Sequence, residues 1–389
     1  MHSLLALHAP DLTGALFPPI IAPSLFGTTL QSLRAAAGDA MRRMSRKRRA
    51  RQYAFHHERV LGTSLELQVV ATDAAIATRA ERNVLTEVGR LSDILSSYST
   101  DSELSHWLTR RNVRFPVSSE LAEVLDVAEQ WRVTTHGAFN PAAVSLVELL
   151  RDDHKLPTAH SDSLTAPANA ITSRAEAITA RLQAMDTPLW TVDRALGLAS
   201  LHTRLAVSLD ALAKGFIVDC AAACARELPG VTDVLVNIGG DLRHIGERAV
   251  AVAVTDPHAP AENAAPIAVV RIRNAALATS GGYRRGFVVN GARVSHIIDP
   301  HTGRSARQIA SASVFAPDCA TADALSTAFS VMTPSASIAL ADSIDGVGCL
   351  LVEQDGSMTT NDAWDAAAVA NVPLHVRPIS TFTLSRLSP

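Results

Sequence analysis

Apolar and polar residues alternate at Leu65, Leu67 and Val69, just after Leu61-Gly62-Thr63, and this period of two predicts a strand with one buried face. At Asp73 the period changes. Ile76, Ala80, Val84, Val88, Leu91 and Leu95 recur at helical spacing behind an aspartate suited to cap them, which predicts a long amphipathic helix. A second helix is predicted over about 118–134, with Leu121, Leu125, Ala128 and Trp131 on one face, and the polar loop 96–102 lies between the two. The folded part is expected to begin near His56. The stretch 154–175, rich in Ala, Ser, Thr and Pro, reads as a surface insertion, with a short helix before Trp190.

Beyond Val207 the pattern becomes dense. Residues 214–228 place Ile217, Ala221, Cys224, Ala225 and Leu228 on one helical face, and Pro229-Gly230 stops that helix. Strands are predicted at 234–238, 249–254 and 268–272. Asn290-Gly291 between two β-type runs is a strong hairpin signal. A helix is expected over about 319–332, and Asp355-Gly356 marks a last hairpin. Helices grouped with antiparallel hairpins predict an α+β fold, an antiparallel sheet with flanking helices, not a doubly wound parallel sheet.

A chain of 389 residues, 47% of them hydrophobic, is long enough to bury a sizeable core. Only 4% are aromatic, which removes the stacking platforms that single-stranded nucleic acid needs, and a net charge of -3 selects no polyanionic partner; no nucleic-acid partner is expected. The charge is uneven. Arg42, Arg43, Arg46, Lys47, Arg48, Arg49 and Arg51 form a run without an acid, readable as a solvated arm or as a contact for acidic lipid or protein. Residues 1–50 are therefore expected to be a disordered or weakly ordered basic tail, and 51–389 a single two-lobed domain carrying the insertion. Cys220, Cys224, Cys319 and Cys349 have no metal spacing and imply no disulfide framework; the first two fit a helix core. The apolar stretch 15–26 is interrupted by Pro18, Pro19 and Pro23, so no signal peptide is read and a cytoplasmic location is the default expectation.

Three constellations can carry chemistry. In Ser295-His296-Ile297-Ile298-Asp299-Pro300-His301-Thr302-Gly303, alternation puts Val294, His296 and Ile298 on one face, so an imidazole stands just before a turn. A satisfied core histidine has the same pattern. In Thr321-Ala322-Asp323-Ala324-Leu325-Ser326-Thr327, Asp323 and Thr327 are four apart and share a helical face, half a shell for a hard cation that takes its other oxygens from phosphates and water. A solvated helix surface offers that pair too. Gly239-Gly240-Asp241 and Thr279-Ser280-Gly281-Gly282-Tyr283-Arg284-Arg285 are glycine turns at strand ends that let backbone amides approach a ligand, with Arg284 or Arg285 available to a diphosphate; tight hairpins explain the glycines equally well.

Taken in order, the strings VLGTSLEL (60–67), SSYSTDSELS (96–105), HGAFNPA (136–142), SLDALAKGFIVD (208–219), VNIGGDLRHIG (236–246), ALATSGGYRRGF (276–287), SHIIDPHTG (295–303) and TADALSTAF (321–329) resemble the ApbE family of FAD:protein FMN transferases. The likeness spans about 56–360. It implies a T-fold-like ApbE architecture and Mg2+-dependent transfer of FMN from FAD to a Thr or Ser hydroxyl of an acceptor flavoprotein, with AMP released. It further implies a catalytic role for His296, a metal held by Asp323 and Thr327, and flavin-nucleotide contacts at Leu61, Tyr98, Gly137, Ala138, Phe139, Ser208, Asp210, Lys214, Ser280 and Ile298. The chain departs from the family pattern at Ser208, Asn140 and Gly282. Two other readings use the same residues: an FAD pyrophosphatase giving FMN and AMP, and an FAD-binding protein without catalysis. By family analogy the acceptor is membrane-associated and the location periplasmic or membrane-peripheral.

Overall fold

The computed structural model describes residues 50–152, 168–261, 264–282, 286–289, 292–295 and 297–369. The first part of the chain forms β1 (Arg51–Val60), β2 (Thr63–Ala71), α1 (Ala74–Leu95), α2 (Glu103–Leu108), β3 (Phe115–Pro116), α3 (Ser119–Thr134), α4 (Val144–Asp152) and α5 (Ala168–Met185). The middle holds β4 (Trp190–Asp193), β5 (Leu198–Leu201), α6 (Asp210–Arg226), β6 (Val231–Ile238), β7 (Asp241–Ile245), β8 (Val250–Val254), β9 (Ala268–Ile272) and β10 (Ala276–Gly281). Then come β11 (Gly286–Val289), β12 (Ala292–Ser295), β13 (Ile309–Ala316), α7 (Cys319–Phe329), α8 (Pro334–Asp342), β14 (Gly348–Glu353), β15 (Met358–Thr360) and α9 (Asp362–Ala367).

Eight strands make the main sheet in the order β1-β2-β6-β7-β10-β13-β14-β15, and each of these pairings is antiparallel. The expected α+β class, an antiparallel sheet with flanking helices, is what the chain adopts. Each face buries a different core because side chains alternate along every strand. In β14, Cys349 and Leu351 join the large core beneath α1, α6 and α7, whereas Leu350 and Val352 point the other way and pack with the β8–β9 hairpin and Trp364 of α9. Leu65, Leu67 and Val69 of β2 are fully buried on the helical side, each contributing about 1.5–3 kcal/mol.

The helical periodicities correspond to real faces. Asp73 caps α1 by accepting from Ile76 N–H at 3.0 Å, and Ala80, Val84, Val88, Leu91 and Leu95 are buried. In α3, Leu121, Leu125, Ala128 and Trp131 are all buried. Three boundaries differ from expectation. The first strand starts at Arg51, five residues before His56, because β1 pairs along β2 from Arg51↔Ala71 onward. The helix expected from 214 starts one turn earlier at Asp210. The helix before Trp190 runs from Ala168 to Met185, so it begins inside the expected insertion. Most of the basic tail, insertion residues 154–167, the Asn290-Gly291 turn, Arg284, Arg285 and His296 lie outside the described residues.

The topology gathers turns at one end of the sheet. Val60 pairs with Thr63 and Ile238 with Asp241, so Leu61-Gly62 and Gly239-Gly240 are two-residue loops. Both residues of each loop have positive φ, 50° and 74° in the first, 63° and 102° in the second, the turn whose twist suits a hairpin. The two loops are stitched together: Gly239 N–H donates to the Ser64 carbonyl at 3.1 Å. β10 pairs with β7 through Leu277↔Leu242 and runs on toward this same end, ending at Ser280-Gly281.

Candidate active site

The centre of this sheet end is a buried cluster of charge. Asp241 opens β7 and is 2% exposed; Asp323 lies in the middle of α7 and is 4% exposed. Lys214, in the second turn of α6, forms an ion pair with Asp241. Burial alone would favour the neutral amine, but Asp241 and Asp323 outweigh it and hold the ammonium up to about 12. The Asp323 carboxyl is pushed well above the ordinary carboxylate range by its burial and by Asp241, against the pull of Lys214 and of the Gly215 N–H that donates to it at 3.3 Å. Two buried carboxyl groups facing one ammonium cannot both ionise without a further positive charge, so Asp323 favours its protonated form until one arrives.

One turn along α7 from Asp323 lies Thr327, the other member of the i, i+4 pair. The Ser280 hydroxyl on β10 lies 2.9 Å from Ser326 Oγ and 3.2 Å from Thr327 Oγ1. Among the described residues, Asp323, Thr327, Ser326 and Ser280 offer carboxylate and hydroxyl oxygens, a donor type that fits a hard cation such as Mg2+. The alternative of an exposed helix surface is removed, since Asp323 and Ser326 are buried.

The helix pair carrying this cluster is unusually close. A Cβ on Gly215 would sit 2.4 Å from the Cys319 carbonyl oxygen and 2.8 Å from Ala320 Cα. Those are backbone atoms that cannot rotate away. Gly215→Ala is expected to force α6 and α7 apart and to lower unfolding free energy by about 1–3 kcal/mol, read as a fall in the chemical-denaturation midpoint. An unchanged midpoint would mean that the helices tolerate separation.

A second group lies along the mouth of α6. Asp210 accepts from Ser97 Oγ at 2.7 Å and from Tyr98 Oη at 3.0 Å, and its own N–H donates to Ser208 Oγ at 3.1 Å. Asp210 and Lys214 are four apart and share a helix face, so this exposed rim leads inward to the carboxylates. Tyr98 is 82% exposed, its ring presented to solvent. Ser208, one of the departures from the family pattern, acts here by holding Asp210.

The third group follows α3. His136 and Gly137 turn through positive φ of 51° and 88°, after which Ala138 and Phe139 are buried, with Phe139 N–H donating to Thr135 Oγ1 at 2.9 Å. Asn140 caps the next turn, its Oδ1 accepting from Ala142 N–H at 3.0 Å. Ser208 N–H donates to the Pro141 carbonyl at 2.9 Å, which joins this loop to the rim. On its other side, His301 Nε2 donates to the His136 carbonyl at 2.8 Å. A cavity of about 150 Å3 between Arg132, His136, Gly137, Asn140, Asp186 and His301 remains there, below the roughly 300–1,000 Å3 of small-molecule sites.

Leu61 occupies the β1–β2 turn beside Gly239-Gly240, half-buried and in the left-handed region at φ 50°, a strain of about 1–2 kcal/mol for a leucine. Ile298 is buried in the main core and bridges to Ser305, at the head of the turn that carries His301. Val294 and Ile298 therefore do not continue one long strand, since β12 ends at Ser295. Ser295 itself packs against Gly282: a Cβ there would meet Ser295 Oγ at 2.8 Å and Cβ at 2.9 Å, so any side chain at 282 has to displace Ser295.

Sequence reasoning passed over Asp241, reading only the glycines before it, and Asp219. The Asp219 carboxyl is raised to about 6, chiefly by burial, although the Cys319 and Ala320 amides and Arg243 favour its charged form. Alternation on β7, where Asp241 and Arg243 share the face turned to α6, was the available signal.

The ApbE family model matches residues 61–351. The chain is 28% identical over 318 residues to the FAD:protein FMN transferase of Haemophilus influenzae, covering 78% of this chain and 88% of the relative. It is 30% identical over 289 residues to that of Salmonella typhimurium, covering 70% and 77%. Among solved structures, the ApbE protein of Thermotoga maritima is similar with a TM-score of 0.70 at 26% identity, over 82% of this chain and all of that one. The flavin transferase ApbE of Vibrio cholerae gives a TM-score of 0.62 at 25% identity, over 82% and 99%.

Proposed function

The chain belongs to the ApbE family, and on that premise we propose that it is an FAD:protein FMN transferase that moves FMN from FAD to a Thr or Ser hydroxyl of another protein with the aid of Mg2+. The observation that carries this reading is the pair of buried carboxyls, Asp241 and Asp323, with the half-buried Lys214 ammonium, beside the Thr327 and Ser280 hydroxyls. A second buried carboxyl that ionises only beside added positive charge, together with hard oxygen donors, suits a divalent cation, and the exposed Tyr98-Asp210 rim leading into it suits a flavin nucleotide.

Asp323 and Thr327 would hold the cation, which when bound supplies charge stabilisation to the phosphoryl oxygens. Lys214 keeps Asp241 paired and contributes positive charge beside the diphosphate. Tyr98, held by Asp210, offers its ring to the isoalloxazine, and the Gly137-Ala138-Phe139 turn and Leu61 line the approach. His296 takes the proton from the acceptor hydroxyl. The hydroxyl oxygen forms a bond to the phosphorus of the FMN half, the bond from that phosphorus to the bridging oxygen breaks, and AMP departs with that oxygen.

Incubation with FAD and Mg2+ alone separates transfer from hydrolysis. The expected result is negligible AMP until an acceptor protein is added, then AMP and protein-bound FMN in equal amounts. Rapid AMP release without acceptor would establish a pyrophosphatase in place of a transferase.

A further inference from the structure

Asp219 stands one helical turn beyond Gly215 on α6 and faces the start of α7. Its two oxygens accept from Cys319 N–H at 2.9 and 2.8 Å, and Oδ2 also accepts from Ala320 N–H at 3.0 Å. Arg243 Nε, from β7, lies 3.3 Å from Oδ1. The first-turn amides of a helix have no partners within it and carry the positive end of its dipole, so a carboxylate is the natural occupant. Yet α7 already has its own cap: Asp318 Oδ1 accepts from Thr321 N–H at 2.7 Å. The two carboxylates differ in what they tie together. Asp318 belongs to α7 and moves with it, whereas Asp219 fastens α7 to α6 and, through Arg243, to the strand that opens with Asp241.

We propose that Asp219 is a positioning residue for FMN transfer: it fixes α7 along its axis so that Asp323 and Thr327 meet Asp241 and Lys214 in the arrangement that accepts the cation. This rests on the reading of Asp323 and Thr327 as the metal-holding pair. Metal–ligand distances tolerate only about 0.2 Å, while a helix advances about 1.5 Å per residue, so a slip of a small part of one residue spoils the set. Gly215 sets how closely the two helices approach. Asp219 sets the register between them.

The test uses the full chain, with Mn2+ as a paramagnetic stand-in for Mg2+, free Mn2+ counted by electron paramagnetic resonance and folding followed by circular dichroism. Asp219→Asn keeps the size but removes the charge, and the Mn2+ dissociation constant is expected to rise about tenfold. Asp318→Ala is expected to lower the melting temperature and leave Mn2+ affinity at the wild-type value, an outcome that a general loss of helix stability does not allow. Asp323→Ala is the reference and should abolish Mn2+ binding. If Asp219→Asn binds Mn2+ as the wild type does while Asp323→Ala does not, the positioning role is overturned and the metal assignment stands. If Asp323→Ala binds normally, the metal assignment fails, and this inference with it. Should Asp219→Asn not fold, Arg243→Gln is read in its place, since it frees the carboxylate from β7 but leaves its amide bonds: weakened Mn2+ binding supports the proposal and wild-type affinity overturns it.

Discussion

Asp323→Ala is expected to lower FMN transfer by about 10²–10³-fold and to remove its response to added Mg2+. A cation at a reacting phosphate supplies several kcal/mol of charge stabilisation, and each 1.4 kcal/mol is about tenfold in rate. Asp323 is the carboxylate best placed to hold it, 4% exposed and one turn from Thr327. Initial rates measured against MgCl2 concentration, with FAD affinity by isothermal titration, give the readout, and FAD should bind more weakly as well. Asp323→Asn separates chemistry from folding. Its neutral amide relieves the repulsion that Asp241 and burial impose on the Asp323 carboxyl, so the metal-free protein should melt no lower than the wild type while transfer is lost. Normal Mg2+ activation in either variant would defeat the assignment.

That prediction draws on both what sequence pattern reveals and what it hides. The i, i+4 spacing of Asp323 and Thr327 was legible because helical geometry is local, and so were the faces of α1 and α3. Burial of Asp323 was not legible. An aspartate among alanines reads the same on a solvated face and in a core, and only the approach permitted by Gly215 decides between them. Asp241 was hidden for a related reason. Its partner Lys214 is distant in sequence, and the pairing depends on β7 crossing beneath α6, a tertiary fact with no short-range signature. Glycine turns drew attention to the right place but for their backbone, while the carboxylate after Gly240 holds the charge.

The three departures from the family pattern acquire physical content in the same way. Ser208 holds Asp210, which in turn engages Tyr98 and Ser97. Asn140 caps the turn after Phe139, work that an aspartate side chain can do equally well. Gly282 lies so close to Ser295 that a side chain would displace it. None of the three leaves a hole in the carboxylate cluster, because that cluster is built from Asp241, Asp323 and Lys214. This argues against an idle binding protein, whose acidic centre would have no need of two buried carboxyls.

His296→Ala is expected to reduce labelling of an acceptor threonine by about 10²–10⁴-fold, the usual contribution of a positioned general base, while FAD affinity stays within about threefold. The split follows from the roles proposed. His296 meets the acceptor proton, which is absent when FAD binds alone, whereas the nucleotide is held by Tyr98, Lys214 and the cation. His296 itself lies outside the described residues, and its role is carried by the resemblance of the 295–303 string to the family. Ser295 packs on Gly282, two residues beyond Ser280, and Ser280 is hydrogen-bonded to Thr327. Mass spectrometry of the acceptor after a fixed incubation measures labelling, and flavin fluorescence titration measures binding. Equal losses of both would make His296 a binding residue, and labelling at the wild-type rate would remove it from the mechanism. Because a hydrolytic reaction needs the same proton removed from water, any slow AMP release in the absence of acceptor should disappear in this variant too, which ties the side reaction and the transfer to one base.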